Sequence, residues 1–355
     1  MPKRNILIPT KGNTLYKDIS HLIQAAKQKV AQAVNQELVL LYWQIGTSIN
    51  QEILKSQRAD YGKEIITTLA KQLSADFGPG FSRPNLFHML RFVEAYPEHE
   101  IVYALSRQLG WTHFRQLIYI EDPLKRQFYT EMCRVKRWST RLLDEKINSM
   151  LYERTAISRQ PDAVIQQELV KLSETHRLTP DLIFRDPYML NFLHLPPAFS
   201  ENDLENAILN ELCAFLQEFG TDFCFIARQK RIVIDNDDYK IDLLMYHRGL
   251  KRLIAIDLKL GKFTAAHKGQ MELYLRWLDK HERREGEEKP LGLILCSEKK
   301  QEHVELLELD RSGIHVAQYL TELPPRELLE RKLQEAIKFA RERIEQQKLF
   351  KDGSK

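Results

Sequence analysis

The sequence predicts two dissimilar parts, an all-α N-terminal domain and an α/β C-terminal domain with a mixed central sheet. In the first part, apolar residues recur every three or four positions, which is the spacing of amphipathic helices. In the second part, leucine-rich and β-branched runs are bounded by turn residues and flanked by helical patterns, in the order α-β-β-β-α-β. The length of 355 residues also favours two domains over one.

We place the predicted boundaries where the composition changes. Residues 14–155 form the helical domain, and residues 156–199 form a proline-containing connector. Apolar residues in the connector favour burial, so we expect a docking segment and not a loose linker. Residues 200–322 hold the α/β core, and residues 323–355 hold a charged helix and a tail.

The composition argues against several classes of protein. A net charge of +4 is only mildly basic, so any nucleic-acid surface must be local. The four cysteines are scattered without a C-x-x-C pair, which argues against a zinc ribbon or a disulfide framework and fits a reducing cytosol. The N-terminus lacks the apolar core of a signal peptide, and no apolar run is long enough to span a bilayer. We therefore expect a cytoplasmic protein with no membrane partner.

The first helix is predicted to be unusually long, from Leu15 to about Leu54. Its apolar residues repeat along the whole length, and Gly46 is a candidate break or bend. A helix of this length can pack within a bundle or pair with a second copy. Packing within the bundle is the favoured interpretation, and a homodimer stays open.

A helix-turn-helix outline follows the long helix. One helix ends at Gly78, the turn Gly-Pro-Gly-Phe-Ser comes next, and Ser82 can cap a second helix through Ala95. Polar side chains off the apolar face of the second helix are candidate DNA contacts: Arg83, Asn85, His88 and Arg91. The alternative is an ordinary helical hairpin whose polar face meets water.

A second candidate DNA surface surrounds Trp138. Basic residues beside an aromatic ring can grip a phosphate backbone or stack on a base. Those residues are Arg134, Lys136, Arg137 and Arg141. The alternative places Trp138 in the core and pairs the arginines with Glu131, Asp144 and Glu145.

The strongest candidate site lies on two predicted strands, Tyr239–His247 and Leu253–Leu260. Side chains alternate along a strand, so Asp257 and Lys259 share a face, and a hairpin can place Asp242 beside them. Two carboxylates suit Mg²⁺ or Mn²⁺, and a nearby lysine can orient water or stabilise charge on a phosphate. The group fits metal-assisted phosphodiester hydrolysis. The alternative is a surface hairpin with a structural Asp–Lys pair.

The flanking helices add further candidates. Ser200 can cap a helix through Gly220 that carries Glu205 at the border of its apolar stripe. After the second strand comes a helix from about Thr264 to His281, in which Gln270 and Tyr274 lie one turn apart.

This ordered set resembles the PD-(D/E)xK nuclease superfamily. Asp242 matches the first acidic motif, and Asp257-Leu258-Lys259 matches the second. Glu205 matches the acidic residue of the first core helix. Gln270-x-x-x-Tyr274 looks like the glutamine–tyrosine motif of the RecB-like and lambda-exonuclease-like branches. Ile241 stands where the superfamily pattern has a proline.

The resemblance implies a role for each matched residue. Asp242 and Asp257 would ligate Mg²⁺ or Mn²⁺, and Glu205 would complete the shell directly or through water. The Leu258 carbonyl could also point at the metal, and Lys259 would position the attacking water. Gln270 and Tyr274 would orient the site or the scissile phosphate.

The N-terminal part resembles the helical domain of the YhcG family, in which it precedes a PD-(D/E)xK nuclease domain. The motifs that carry the resemblance are Leu38–Gly46, Tyr61-Gly62-Lys63, Gly80-Phe81-Ser82, Leu109-Gly110-Trp111-Thr112-His113 and Trp138-Ser139-Thr140-Arg141. The family's usual L-S-W-x-H reads L-G-W-T-H here. The resemblance implies a nuclease of DNA processing or defence that acts on double-stranded DNA, with restriction or recombination partners open. A non-catalytic DNA-binding adaptor in a larger complex is the main alternative, and an RNA substrate has no recognition module to support it.

Overall fold

The computed structural model describes residues 11–55, 59–220, 222–299, 304, 306–307 and 309–352. The chain divides into two compact units between Glu145 and Lys146. Within the described ranges the first unit is helical, and the second is built on a six-stranded sheet. This confirms the predicted fold class. Among the described helices, none combines the length and the hydropathy that a membrane-crossing segment needs.

The N-terminal unit is made of helices joined by short turns. A 3-10 turn at Pro79–Phe81 separates the second helix from the third. The helices that begin in this unit are α1 (Lys11–Lys55), α2 (Ala59–Phe77), α3 (Arg83–Ala95), α4 (His99–Ser106), α5 (Trp111–Leu117), α6 (Pro123–Lys136) and α7 (Thr140–Asn148).

Gly46 does not interrupt α1, which continues through it as regular helix. A Cβ atom at this position would lie 2.2 Å from the backbone oxygen of Met89 and 2.8 Å from Cγ2 of Val93. Both residues belong to α3, and real Cβ atoms do not make contacts this short. The glycine therefore lets α1 and α3 pack backbone to backbone, which is a reason for glycine other than a break.

Within the motif Leu109–His113, the His113 side chain connects two segments of the N-terminal unit. Nδ1 of His113 accepts a hydrogen bond from the Gly110 amide at 3.2 Å. The other ring nitrogen, Nε2, lies 3.0 Å from the Trp138 carbonyl oxygen, so one imidazole joins two segments of chain. Trp138 itself is 8% exposed and belongs to the core, as the alternative interpretation predicted.

The C-terminal unit alternates helices with the strands of the sheet. Its helices are α8 (Leu151–Arg154), α9 (Asp162–Thr175), α10 (Pro180–Ile183), α11 (Glu201–Asn210), α12 (Leu212–Phe219), α13 (Ala265–His281) and α14 (Arg326–Asp352). Its strands are β1 (Tyr188–Met189), β2 (Phe223–Ile234), β3 (Asp237–His247), β4 (Arg252–Lys262), β5 (Leu291–Glu298) and β6 (Ile314–Leu320).

The sheet is mixed, with strand order β1-β6-β5-β4-β3-β2. Strands β2, β3 and β4 form an antiparallel meander, whereas β4, β5 and β6 run parallel. Along β4, Ile254, Ile256 and Leu258 pack into one apolar layer, and Leu253 and Ala255 pack into the layer on the other face. Asp257 and Lys259 continue the second series, so alternation places them on the face that α13 covers.

The helix predicted to run from Ser200 to Gly220 is interrupted, which corrects the prediction of one continuous helix. Its start is as predicted, because the Ser200 hydroxyl accepts from the Asp203 amide at 3.1 Å. Helix α11 ends at Asn210, and Glu211 has non-helical dihedral angles of −105° and 32°. Past the interruption, Phe219 of α12 stacks on Tyr188 with ring centroids 4.4 Å apart. Helical periodicity does not reveal this interruption, because the apolar spacing is kept across it.

The segment predicted as a connector, residues 156–199, lies entirely within the second unit. Leu182, Phe184 and Leu190 are at most 3% exposed. Strand β1 adds to the sheet by pairing in parallel with the end of β6. Apolar burial and a short strand pairing hold this segment in the second unit.

Candidate active site

Strands β3 and β4 bring three of the predicted site residues together. Leu243 pairs with Ile256, so Asp242 lies beside Asp257 one register position further along. Oδ2 of Asp242 accepts a hydrogen bond from the Leu258 amide at 2.8 Å. Nζ of Lys259 lies 3.0 Å from Oδ2 of Asp257, which is 3% exposed. The cluster contains two carboxyl groups and one ammonium group at the point where the meander meets the parallel strands.

The proton affinities of the two carboxyl groups reflect burial and mutual repulsion. Burial raises the pKa of Asp242 to about 7, and the negative charge of Asp257 adds to the rise. The hydrogen bond from the Leu258 amide and the positive charge of Lys259 lower the pKa and offset part of this rise. Burial also raises the pKa of Asp257, and Lys259 counteracts part of that rise. Burial alone would lower the pKa of Lys259, but the Asp257 carboxylate holds it above its usual value. Metal-free, the site therefore favours a proton between the two carboxyl groups.

The chemistry of this pair fits a hard divalent cation. Oδ2 of Asp257 is buried and makes no hydrogen bond of acceptable geometry, although the Lys259 ammonium is 3.0 Å away. A buried carboxylate oxygen in that state is a ready ligand for a cation, and a cation would relieve the repulsion between the two aspartates. Within the described ranges, however, no group of three or more acidic, histidine or cysteine side chains is arranged around one point as a ready-made metal site.

Glu205 is buried near the aspartates but is occupied by other partners. Its Oε1 forms an ion pair with Nε of Arg228. Its Oε2 accepts from Nε2 of Gln229 at 2.7 Å, and the same amide nitrogen lies 3.2 Å from Oδ1 of Asp242. Gln229 therefore links Glu205 of α11 to Asp242 of β3.

Gln229 and Arg228 escape prediction from the sequence. Gln229 adopts a left-handed backbone conformation, with φ of 46°, in the middle of β2. Such a conformation is unfavourable for a residue with a side chain and is often kept at functional sites. Both residues reach the site through pairing of β2 with β3. The sequence did contain one signal, because Gln229 is a polar residue inside the predicted strand that comes just before the strand of Asp242.

Glu201 is a second acidic residue of α11 near the site that the sequence did not single out. Its Oε1 accepts from the Leu260 amide at 3.4 Å, and its negative charge contributes to the raised pKa values of Asp257 and Lys259. The signal was present, because Glu201 lies one helical turn before Glu205.

Gln270 and Tyr274 act on the strand that carries Asp242. Nε2 of Gln270 donates to the Tyr274 hydroxyl at 2.6 Å. That hydroxyl in turn donates to the Lys240 carbonyl at 2.9 Å, two residues before Asp242. Burial raises the pKa of Tyr274 to about 12, and the two aspartates add to the rise. The pair joins α13 to β3, so it is placed to fix the position of Asp242.

The candidate DNA contacts on α3 are held by neighbours within the N-terminal unit. Nε of Arg83 donates to the Thr67 hydroxyl at 3.1 Å, and Nε of Arg91 donates to the Ile118 carbonyl at 3.1 Å. His88 Nδ1 lies 2.9 Å from a tyrosine hydroxyl, and burial lowers the His88 pKa.

Asn85 is half-buried, and both ends of its side-chain amide are engaged within the same unit. Its side-chain nitrogen donates to the Gly80 carbonyl, and its oxygen accepts from Nε1 of Trp111 at 3.1 Å. The amide therefore ties the turn before α3 to α5, so in this conformation Asn85 has no bidentate edge to offer to a base.

The basic residues around Trp138 separate into two groups. Arg134 pairs with Glu131 at 2.8 Å, as the alternative interpretation expected, and Lys136 lies near the end of α6. Arg137 and Arg141 are exposed, and Arg137 ends α6 in a left-handed conformation. The exposed pair is the part of this cluster that is accessible to a nucleic acid.

Comparison with known proteins gives matches to both parts of the chain. Residues 18–154 match the family described as the DUF1016 N-terminal domain, and residues 181–337 match the one described as the YhcG PDDEXK nuclease domain. A protein of Escherichia coli (strain K12) named "Putative nuclease YhcG" is 34% identical over 315 residues, which cover 80% of this chain and 83% of the relative.

Two solved structures also match part of the chain. A repair endonuclease from Pyrococcus abyssi is 20% identical, with a TM-score of 0.25, over 37% of this chain and 50% of that one. The EndoMS–dsDNA2 complex is 18% identical, with a TM-score of 0.25, over 34% of this chain and 46% of that one. The chain thus spans about half the length of these two structures.

Proposed function

The chain belongs to the YhcG family, and from that membership and its paired aspartates we propose that it is a metal-dependent nuclease that hydrolyses double-stranded DNA. The observation that carries the proposal is the buried pair Asp242 and Asp257, with the Lys259 ammonium 3.0 Å from Asp257. Two buried like charges beside a lysine are costly as a mere structural feature and useful for phosphodiester hydrolysis. The scattered, unpaired cysteines fit a cytoplasmic location.

Asp242 and Asp257 are the residues that would hold Mg²⁺ or Mn²⁺, with the Leu258 carbonyl as a further oxygen ligand. A divalent ion there would supply Lewis-acid stabilisation of charge on the phosphate. Glu205 would act through water, because Arg228 and Gln229 already engage its two oxygens.

Lys259 would position the attacking water, with Asp257 fixing its ammonium. Gln270 and Tyr274 would keep the strand of Asp242 in place through the Lys240 carbonyl. Lys259 would thus contact the reacting water, whereas Gln270 and Tyr274 would act only by positioning β3.

Cleavage should be tested with purified protein on linear, circular and single-stranded DNA and on RNA, with Mg²⁺, Mn²⁺ or EDTA. We expect loss of intact double-stranded DNA with either ion and none with EDTA, because the two carboxylates alone cannot stabilise a phosphate anion. Lys259→Ala protein purified in parallel controls for contaminating nucleases. Cleavage of RNA in place of DNA would contradict the proposed substrate, and circular DNA separates endonuclease from exonuclease action.

A non-catalytic DNA-binding adaptor in a restriction or recombination complex is the second candidate. The observation in its favour is the occupation of Glu205 by Arg228, which leaves two carboxylates for a metal. An adaptor would bind DNA equally with EDTA or Mg²⁺ and would cleave none of the substrates. Binding without cleavage, together with no binding of Mn²⁺ by calorimetry, would favour this candidate over the nuclease.

We further propose that the N-terminal unit contacts the DNA backbone through exposed arginines, chiefly Arg137 and Arg141. Arg83, His88, Arg91, Arg134 and Lys136 are secondary candidates, and Asn85 would support the turn before α3.

The joint change Arg137→Ala and Arg141→Ala should weaken DNA binding and lower its salt dependence. Two lost phosphate contacts reduce the slope of log affinity against log salt by roughly 2. Binding would be measured by fluorescence anisotropy over a range of salt concentrations. The matched control removes two exposed positive charges from α14, Arg331→Ala with Lys332→Ala. An equal loss of slope in both double variants would show only a general charge effect and would contradict the proposed surface.

A further inference from the structure

The first half of α1 has an apolar surface that its own unit leaves uncovered. Further along the helix, Gln32 donates to the Arg107 carbonyl at 2.6 Å, and Val39 is fully buried. Before that point the large apolar side chains are exposed. Their exposed fractions are 70% for Tyr16, 46% for Ile19, 70% for Leu22, 51% for Ile23, 64% for Val30 and 63% for Val34.

Four of these residues, together with two exposed alanines, form a seam with the spacing of a coiled coil. Successive steps of three and four residues give a mean spacing of about 3.5, the period that keeps one seam facing a partner helix. In heptad notation the a positions are Tyr16, Ile23 and Val30, and the d positions are Ile19, Ala26 and Ala33. Two of the three a residues, Ile23 and Val30, are β-branched, as in parallel two-stranded coiled coils, and the alanines at two d positions allow the helices to approach closely.

The residues beside the seam are compatible with two copies aligned in parallel. In that alignment each g position faces the e position of the partner's next heptad. Leu22 would then face Lys27, and Lys29 would face Val34. Each lysine stem covers an apolar side chain, and no like charges oppose each other.

The length of this segment also calls for a partner. Residues 16–34 form about 28 Å of helix at 1.5 Å per residue. A helix of that size is marginal in water without packing, because most helical stability in proteins comes from the contacts of an apolar face. The heptad pattern is self-complementary, so a second copy of the chain is the partner that fits this surface.

We propose that residues 16–34 of two chains form a parallel two-stranded coiled coil, which makes the protein a dimer. The dimer would carry two copies of the nuclease unit. The inference rests on α1 alone and does not depend on the proposed catalytic activity.

The molar mass in solution tests this proposal directly. By light scattering or sedimentation at about 10–100 µM, the parent chain should have twice its 41.8 kDa mass. Ile23→Glu with Val30→Glu should return the mass to 41.8 kDa, because it places charges in the seam. The matched control, Gln24→Glu with Ala31→Glu, adds the same charge at b positions and should remain dimeric. A monomeric parent, or a seam variant that stays dimeric, would overturn the proposal.

The parallel alignment has its own test. In a parallel dimer the two d positions at residue 26 face each other, so Ala26→Cys should form an intermolecular disulfide under mild oxidation. The parent chain is the control for Cys213 and Cys224, which are exposed. A dimer that Ala26→Cys fails to cross-link would overturn the parallel arrangement.

Discussion

Asp257→Asn and Lys259→Ala should each reduce DNA cleavage by about a thousandfold or more, for different reasons. Asp257→Asn removes a buried negative charge that both attracts a cation and holds the Lys259 ammonium. It should therefore weaken Mn²⁺ binding, measured by calorimetry, together with cleavage. Lys259→Ala removes a positive charge beside the metal site, so Mn²⁺ binding should be kept or strengthened while cleavage is lost. Asp238→Asn, at an exposed position of β3, is the matched control and should leave both quantities unchanged.

Stability without metal distinguishes this site from a structural ion pair. Because the folded pKa of Asp242 is about 7, above its ordinary value of 3.8, the native protein binds an extra proton between these pH values. Stability in EDTA should accordingly fall as pH rises from about 4 to about 7. Asp242→Asn removes this dependence and should gain up to about 4 kcal/mol of stability at pH 8, because the rise in the pKa of Asp242 from 3.8 to about 7 corresponds to about 1.4 kcal/mol per unit. If the site were only a structural ion pair, Asp242→Asn, Asp257→Asn and Lys259→Ala would each destabilise the protein. Metal would then have no effect on the melting temperature of the parent.

Local sequence rules were sufficient where a residue's neighbours in the chain determine its position. Alternation along β4 placed Asp257 and Lys259 on one face, and Ser200 capped α11 as its residue type predicts. They were insufficient where a contact joins distant segments. Gln229 reaches Asp242 only through strand pairing, and Gly46 is explained only by the backbone of α3. The exposure of Ile23 likewise depends on where the bundle ends, which periodicity does not encode.

The last expected result concerns a buried ionic network in the C-terminal unit. Oε1 of Glu218 lies 2.5 Å from Nη1 of Arg154 and accepts from the Met189 amide at 2.9 Å. Its Oε2 lies 3.1 Å from Nη1 of Arg185. The arginine side chains are 1% and 6% exposed, so this carboxylate is their counter-charge inside the unit. Burial would raise the pKa of Glu218, but Arg185 and Arg154 hold it below its ordinary value.

Glu218→Gln should therefore destabilise the protein by about 3–5 kcal/mol, because it leaves two buried guanidinium groups facing each other without compensation. Few other groups could take over from Glu218, because Nε and Nη1 of Arg185 already lack hydrogen bonds of acceptable geometry. Thermal unfolding followed by far-UV circular dichroism would measure the loss. The matched control breaks an ion pair of equally good geometry at the surface, Asp238→Asn opposite Arg231, where N–O distances are 2.7 and 2.8 Å. Solvent screens that pair, so the control should melt close to the parent.

A second substitution separates lost charge from lost shape. If the cost of Glu218→Gln comes from unpaired buried charge, removing one of the two arginines as well should recover part of it. Arg185→Met keeps much of the side-chain volume, so Glu218→Gln with Arg185→Met should melt above Glu218→Gln alone. If the double variant were the less stable, Arg185 would stabilise the unit through its packing and the cost of Glu218→Gln would not come from unpaired buried charge. A single variant as stable as Asp238→Asn would mean that water reaches this network and that the arginines are not held by Glu218.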